Sequence, residues 1–90
     1  MHFVRDVSYI SDYKLLLTFE DETIRLADLK LYLDGKIFEP LKNTEYFKTV
    51  QFDPELDTIV WENGADMSPD FLYEISLEVN KLSLNAVSKE

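Results

Sequence analysis

Apolar and polar residues alternate along the opening third of the chain, and this period of two residues constrains the fold more than any other feature of the sequence. Leu15, Leu17 and Phe19 occupy every second position of one such run. Side chains on a β-strand point alternately to the two faces of its sheet, so each run predicts a strand. Short polar breaks separate the runs at hairpin spacing. The sequence therefore predicts a three-stranded antiparallel meander over residues 3–10, 13–20 and 23–26.

Two short helices and a second hairpin are predicted in the middle of the chain. Asp28 can cap a helical turn that stops at Gly35, because glycine accepts the left-handed conformation that often ends a helix. Asn43 can cap a second short helix over residues 44–48. Apolar residues alternate on either side of the acidic segment 53–57, which predicts a hairpin with a connection of about three to five residues. The sheet then has about five strands.

The last quarter of the chain predicts its longest helix. Residues 68–70, Ser-Pro-Asp, combine an N-cap hydroxyl, a proline at the first helical position and an acid near the positive end of the helix dipole. On a helical wheel, one apolar stripe faces the sheet, while Tyr73, Leu77 and Leu84 belong to a second stripe. We therefore expect a C-terminal amphipathic helix packed on the sheet and continuing through residues 75–90.

The second apolar stripe needs a packing surface of its own. In so small a domain another chain can supply that surface, with Glu74 and Glu78 on the polar part of the helix beside it. The alternative is that the helix frays before Leu84 and leaves these apolar side chains scattered on the surface. The first interpretation makes the helix a docking surface.

Chain length and residue types bound the domain count and the location. A chain of 90 residues leaves no room for a second core, so residues 1–90 are expected to form a single domain. Cysteine is absent, which excludes disulfides and thiolate chemistry. No long apolar run is present, and Asp6 interrupts the first residues before a signal-peptide core could form. We therefore expect a cytoplasmic protein with no membrane segment.

The charge of the chain restricts its binding partners. The net charge is −9, and residues 49–90 contain 9 acidic residues against 2 basic ones. Such a field repels the phosphate backbone of nucleic acids, so autonomous nucleic-acid binding is not expected. The charge either serves solubility alone or attracts a basic partner.

The sequence offers no catalytic or metal-binding motif. His2 is the only histidine, so a serine triad lacks a well-placed base and a zinc site lacks further ligands of the usual kind. The carboxylates of residues 53–57 do not match an EF-hand, because Thr58 stands where that loop needs glycine and Gly64 where it needs glutamate. The two glycines do not form a phosphate-binding loop. We expect a protein without catalysis, cofactor or metal.

Four stretches of the chain carry a family resemblance. The stretch from Trp61 to Tyr73, Trp-Glu-Asn-Gly-Ala-Asp-Met-Ser-Pro-Asp-Phe-Leu-Tyr, is the most specific of them. Together they resemble the small bacterial family catalogued as domain of unknown function 2442, with residues 3–74 as the family-like core and 75–90 as a C-terminal extension. The stretches are residues 13–21, 24–29, 38–41 and 52–74.

The resemblance implies an α+β fold and a role as an antitoxin that binds a small toxin, often of the family catalogued as domain of unknown function 4160. It brings no catalytic residues. Some relatives append a helix-turn-helix domain for DNA, and no such segment follows in this sequence. The family often has glycine where this chain has Glu22 and Asp57. At these turns we expect either a different turn type or backbone strain of about 1 kcal/mol.

These observations lead to one main hypothesis and two alternatives. The main hypothesis is an antitoxin that neutralises a small toxin by direct binding through its acidic C-terminal half. The first alternative is a homodimeric adaptor that uses the same apolar stripe. The second is a small-ligand module whose pocket is lined by Trp61 and Tyr46. The predicted partner-binding residues are Tyr73, Glu74, Leu77, Glu78, Leu84, Trp61 and Asp66.

Overall fold

A four-stranded antiparallel sheet and a separate two-stranded hairpin organise the fold. The computed structural model describes residues 1–79. The sheet has the strand order β1-β2-β3-β6, and β4 pairs with β5 in the hairpin. The strands are β1 Val4–Ser11, β2 Lys14–Phe19, β3 Ile24–Asp28, β4 Gln51–Asp53, β5 Thr58–Val60 and β6 Leu77–Val79. The α+β class is confirmed, but the expected single sheet of about five strands is wrong.

The opening meander is confirmed. Leu15, Leu17 and Phe19 of β2 are all buried, as their spacing predicts. Strand β3 runs antiparallel to β2, with Leu15 opposite Ala27 and Leu17 opposite Arg25. Strand β1 pairs with the other side of β2, with irregularities in register near both of its ends. The period of two residues was a sufficient signal because one face of these strands packs on the core.

Glu22 and Asp57, at the two turns for which strain is one of the expected alternatives, have a left-handed backbone. Glu22 has a φ of 68° and Asp57 a φ of 56°, and Asp12 joins them with a φ of 46°. A residue with a Cβ pays about 1–2 kcal/mol in the left-handed region, although aspartate tolerates it better than glutamate. The chain therefore keeps the backbone conformation that favours glycine, which corresponds to the strained one of the two expected alternatives.

The helices between the meander and the hairpin are short. Two 3₁₀ segments cover Lys30–Tyr32 and Lys36–Lys42, and helix α1 covers Thr44–Phe47. The Asn43 side chain accepts a hydrogen bond of 2.9 Å from the backbone N–H of Glu45, so the predicted cap is confirmed. The segment from Lys36 to Lys42, between the two predicted helices, forms 3₁₀ turns.

Helix α2, Pro69–Ile75, begins where the Ser-Pro-Asp signal predicts but ends far earlier than expected. The Ser68 side chain accepts from the backbone N–H of Phe71 and caps the helix. The chain then turns at Ser76, whose backbone is extended, and continues as β6. The predicted helix through residues 75–90 is therefore wrong over its described part, and residues 80–90 lie outside the described residues.

Tertiary contacts explain why the helix stops. Strand β6 pairs with β3, with Leu77 opposite Leu26 and Val79 opposite Ile24. The Arg25 guanidinium donates to the backbone oxygens of Tyr73 and Ser76, at 3.3 and 3.1 Å, which satisfies carbonyls at the end of the helix. Continuing the helix would leave the outer edge of β3 unpaired, so pairing outweighs the helical periodicity of the segment.

An aromatic cluster around Phe47 joins the helical segments to both sheets. The Phe47 ring lies edge-on to the rings of Tyr9 and Tyr13 and tilted against that of Trp61. The Trp61 indole N–H donates to the Phe47 backbone oxygen at 2.8 Å. The described residues therefore share one core. No helix among them is long and apolar enough to cross a membrane.

Candidate functional site

The face of the sheet opposite the core carries a row of apolar side chains. Residues paired across antiparallel strands point to the same face. Leu16 lies opposite Leu26, and Leu26 lies opposite Leu77. Because Leu15 and Leu17 point into the core, this row points away from it. The row spans β2, β3 and β6 and ends at β6, the edge strand of the sheet within residues 1–79.

A cleft of about 460 Å³ lies at the end of this row. The first 3₁₀ segment supplies Leu31 and Tyr32, and the end of α2 supplies Ile75. Leu31 is 82% exposed, Leu77 is 73% exposed and Tyr32 is 40% exposed. We call this feature the edge cleft, defined by Leu26, Leu31, Tyr32, Ile75 and Leu77.

Charged groups lie along one side of the edge cleft. Lys14, Asp28 and Lys30 line it together with the apolar residues. The same three residues line a smaller cleft of about 310 Å³ with Asp12 and Tyr13, so the two clefts adjoin. Among the described residues, neither Lys14 nor Lys30 forms an ion pair within 4.0 Å. The site can therefore receive apolar groups on one side and a carboxylate on the other.

The structure brings one of the predicted partner-binding residues to this cleft. Leu77 forms part of its wall. Glu74 on α2 and Glu78 on β6 are exposed but do not line the cleft, and Glu78 points to the opposite face of the sheet from Leu77. Asp66 is exposed but belongs to the segment after β5, where it bridges to Val60.

Two of the predicted residues have other surroundings. Trp61 is 3% exposed and fills the core, so it is not a surface residue, and neither cleft is lined by Trp61 or Tyr46. Tyr73 is half-buried within its own subunit. Leu84 lies outside the described residues.

The Tyr73 ring lies between two cationic or aromatic groups. The His2 imidazole is parallel to it within 5°, with 3.5 Å between the ring centres. The Arg25 guanidinium carbon lies 3.9 Å from the centre of the same ring. Two groups at such distances cannot share one face, so the ring is enclosed between them. Phe19 adds an edge-on contact at 5.0 Å. Tyr73 thus holds the first residues of the chain against α2 and β3.

Two carboxylates beside Tyr73 are held in their ionised form. The pKa of Asp21 is lowered to about 2, first by the Thr23 hydroxyl and then by the Thr23 backbone N–H and the Tyr73 hydroxyl. The pKa of Glu20 is lowered mainly by the backbone N–H of Phe3. The pKa of Tyr73 is raised, chiefly because its hydroxyl donates to Asp21 at 2.8 Å.

Sequence reasoning missed the half of the edge cleft that comes from the 3₁₀ segment. The helical turn predicted between Asp28 and Gly35 contains Leu29, Leu31 and Leu33. Leu29 and Leu33 are buried, whereas Leu31 points to solvent. The spacing of the three leucines at every second position was the available signal. One helical turn cannot direct all three side chains to the same face, so one of them has to be exposed. The lysines beside the cleft carried no such signal.

Comparison with known proteins gives one match. A family model described as a protein of unknown function, DUF2442, matches residues 4–78. No curated protein and no solved structure gives a significant match. The matched range contains all six strands except the last residue of β6, together with the entire edge cleft.

Proposed function

The chain belongs to the DUF2442 family of proteins of unknown function, and on that premise we propose that it is a non-catalytic protein-binding domain, the antitoxin of a bacterial toxin–antitoxin pair. It acts in the cytoplasm by covering a small toxin directly. The expected partner is a small toxin of the family catalogued as domain of unknown function 4160. One observation carries the proposal: exposed apolar side chains gather at the edge cleft.

The apolar content of the edge cleft supports a macromolecular partner. Leu31 and Leu77 leave most of their side-chain surface in water. Burying an exposed leucine contributes about 1.5–3 kcal/mol, so two such residues at the centre of an interface can account for much of its affinity. An open cleft of this kind suits a protruding side chain or helix of another protein better than an enclosed small molecule.

The sheet edge and the charge add to this support. Strand β6 is the last strand of the described sheet, so its outer side can receive a strand from a partner. The chain has a net charge of −9, and Glu74 is exposed near the end of α2. The net charge would attract a basic toxin to the chain as a whole, whereas Lys14 and Lys30 at the cleft favour a carboxylate of that toxin.

Co-expression with the product of the neighbouring gene tests the proposal. The two proteins are expected to elute together from a size-exclusion column. If the product of the neighbouring gene stops growth, co-expression of the DUF2442 protein is expected to restore it. Leu77→Asp and Leu31→Asp place a charge in the edge cleft, and each should weaken the complex at least about tenfold. Both side chains are exposed, so thermal unfolding of the isolated chain should change little.

Leu56→Asp is the matched control. Leu56 is 53% exposed but lies in the connection between β4 and β5, so the same charge there should leave the complex intact. Separate elution of the two wild-type chains, without growth rescue, would contradict the antitoxin proposal. Light scattering of the isolated chain separates it from the homodimeric alternative, because a dimer that Leu77→Asp dissociates would assign the edge cleft to a second copy.

A further inference from the structure

Three side chains that can bind a metal converge where β1 begins and β2 ends. The Nδ1 atom of His2 lies 3.2 Å from Oε2 of Glu20. One ligand atom from each of His2, Glu20 and Asp21 lies within 4.8 Å of the others. His2 and Glu20 are half-buried, and Asp21 is exposed. The group therefore joins the only imidazole of the chain to two adjacent carboxylates.

We propose that His2, Glu20 and Asp21 form a binding site for a divalent transition-metal ion, with zinc as the best-suited ion. One imidazole nitrogen and two carboxylate oxygens are a donor set that zinc accepts, and three protein ligands leave a further position open. The two carboxylates balance the charge of the ion. The site is separate from the edge cleft and does not depend on the proposed function.

The geometry is close to that of a formed site. With zinc–nitrogen and zinc–oxygen distances of about 2.0–2.2 Å, ligand atoms around a tetrahedral ion lie about 3.3 Å apart. The pair from His2 and Glu20 already has a separation of 3.2 Å. Asp21, within 4.8 Å of both, has to approach by no more than about 1.5 Å, which rotation of an exposed side chain can supply.

Surrounding groups orient each ligand without using all of its lone pairs. The Phe3 backbone N–H donates to Oε1 of Glu20 at 2.7 Å and leaves Oε2 directed at His2. The Thr23 hydroxyl donates to Oδ1 of Asp21 at 2.6 Å, and the Tyr73 hydroxyl donates to Oδ2 at 2.8 Å. The parallel contact with Tyr73 fixes the His2 ring. Such outer contacts commonly set metal affinity.

The imidazole separates this group from the other acidic segments of the protein. In the connection between β4 and β5, the Asp53 carboxylate accepts from the backbone N–H groups of Glu55 and Leu56 and serves as a turn cap. No histidine lies in that connection. Histidine prefers transition metals to calcium or magnesium, so zinc selectivity is expected at His2 alone.

Calorimetric titration of the full chain with Zn²⁺ tests the proposal. The chain is purified with a C-terminal tag that contains no histidine, because a histidine tag would itself bind zinc. One ion per chain is expected to bind. His2→Phe retains an aromatic ring against Tyr73 but removes the ligand nitrogen, and Asp21→Asn removes one carboxylate charge. Each variant is expected to lower the zinc affinity at least about tenfold. Coordination through Nδ1 should also shift the imidazole nitrogen resonances of His2 in an NMR spectrum.

Glu45→Gln is the control, because Glu45 pairs with Lys48 on α1, and it should bind zinc like the wild type. The melting temperature of each variant without metal shows that it is folded. No binding up to about 1 mM zinc would overturn the proposal. Equal zinc affinity of the wild type and His2→Phe would also overturn the proposal, because carboxylates elsewhere on the surface would then account for the binding of the ion.

Discussion

Single residues show where this chain departs from the easiest backbone choices. Glu22 is the last residue of the turn that follows β2, and its backbone N–H donates to the Phe19 backbone oxygen at 2.9 Å. The turn requires a positive φ at Glu22, and the Glu22 side chain is exposed. Nothing about the side chain therefore offsets the strain of a glutamate there. The rest of the hairpin, whose register is determined by the buried residues of β2, imposes the conformation.

A glycine at this position should stabilise the fold relative to alanine. Glu22→Gly relieves about 1–2 kcal/mol of left-handed strain but adds about 0.4–1 kcal/mol of unfolded-state entropy. We expect Glu22→Gly to be about 0.5–1 kcal/mol more stable than Glu22→Ala in urea unfolding. At Glu45 in α1, the same comparison should have the opposite sign, because alanine favours a helix. Equal stability of the two Glu22 variants would mean that the turn relaxes.

Among the elements of secondary structure, the junction between α2 and β6 decides the shape of the candidate site. Arg25 lies on the core side of β3, across from Glu78. Its guanidinium donates to Ser76 Oγ at 2.9 Å as well as to the two carbonyls at the helix end. One side chain from a neighbouring strand therefore ends the helix and directs Leu77 into β6, on the wall of the edge cleft.

Removal of Arg25 should loosen this junction. Arg25→Leu leaves the carbonyls of Tyr73 and Ser76 without their donor and is expected to lower the free energy of unfolding by about 1–3 kcal/mol. Hydrogen exchange should rise at the β6 amides first. The matched control is Arg5→Leu, which breaks an exposed ion pair of 3.1 Å with Asp57 and should cost no more than about 1 kcal/mol. A similar loss in both variants would contradict this role of Arg25.

The whole molecule depends on packing between its two sheets. Phe47 on α1 is fully buried and touches aromatic rings from β1 and from the end of the hairpin. Within residues 1–79, the outer face of the four-stranded sheet and the edge cleft are then left for other contacts. The core and the candidate docking surface therefore lie on opposite faces of the same sheet, so surface changes can be made without disturbing the core.

Truncation of Phe47 should affect the entire domain. Phe47→Ala is expected to lower the free energy of unfolding by about 3–5 kcal/mol, a large part of what a small domain possesses. Phe47→Leu fills more of the space and should cost less than half as much. Thermal unfolding followed by circular dichroism measures both. A small effect of Phe47→Ala would show that the two sheets are stabilised separately.

Local signals in the sequence were sufficient for the meander and for the Asn43 and Ser68 caps. Each depends on interactions within a few residues or on one buried face, and these are encoded locally. The candidate site was predicted only in part, because Leu77 was predicted but Leu31 and the lysines were not.

Tertiary structure decided what happens after Ile75 and what lies beside His2. The apolar spacing from Tyr73 to Leu77 predicts that the helix continues. Pairing of Leu77–Val79 with the free edge of β3 and the hydrogen bonds from Arg25 outweigh this tendency. Glu20 and Asp21 meet His2 because the meander returns to the start of β1. Neither contact is visible in local sequence, since both join residues far apart in the chain whose energy appears only once the strands have paired.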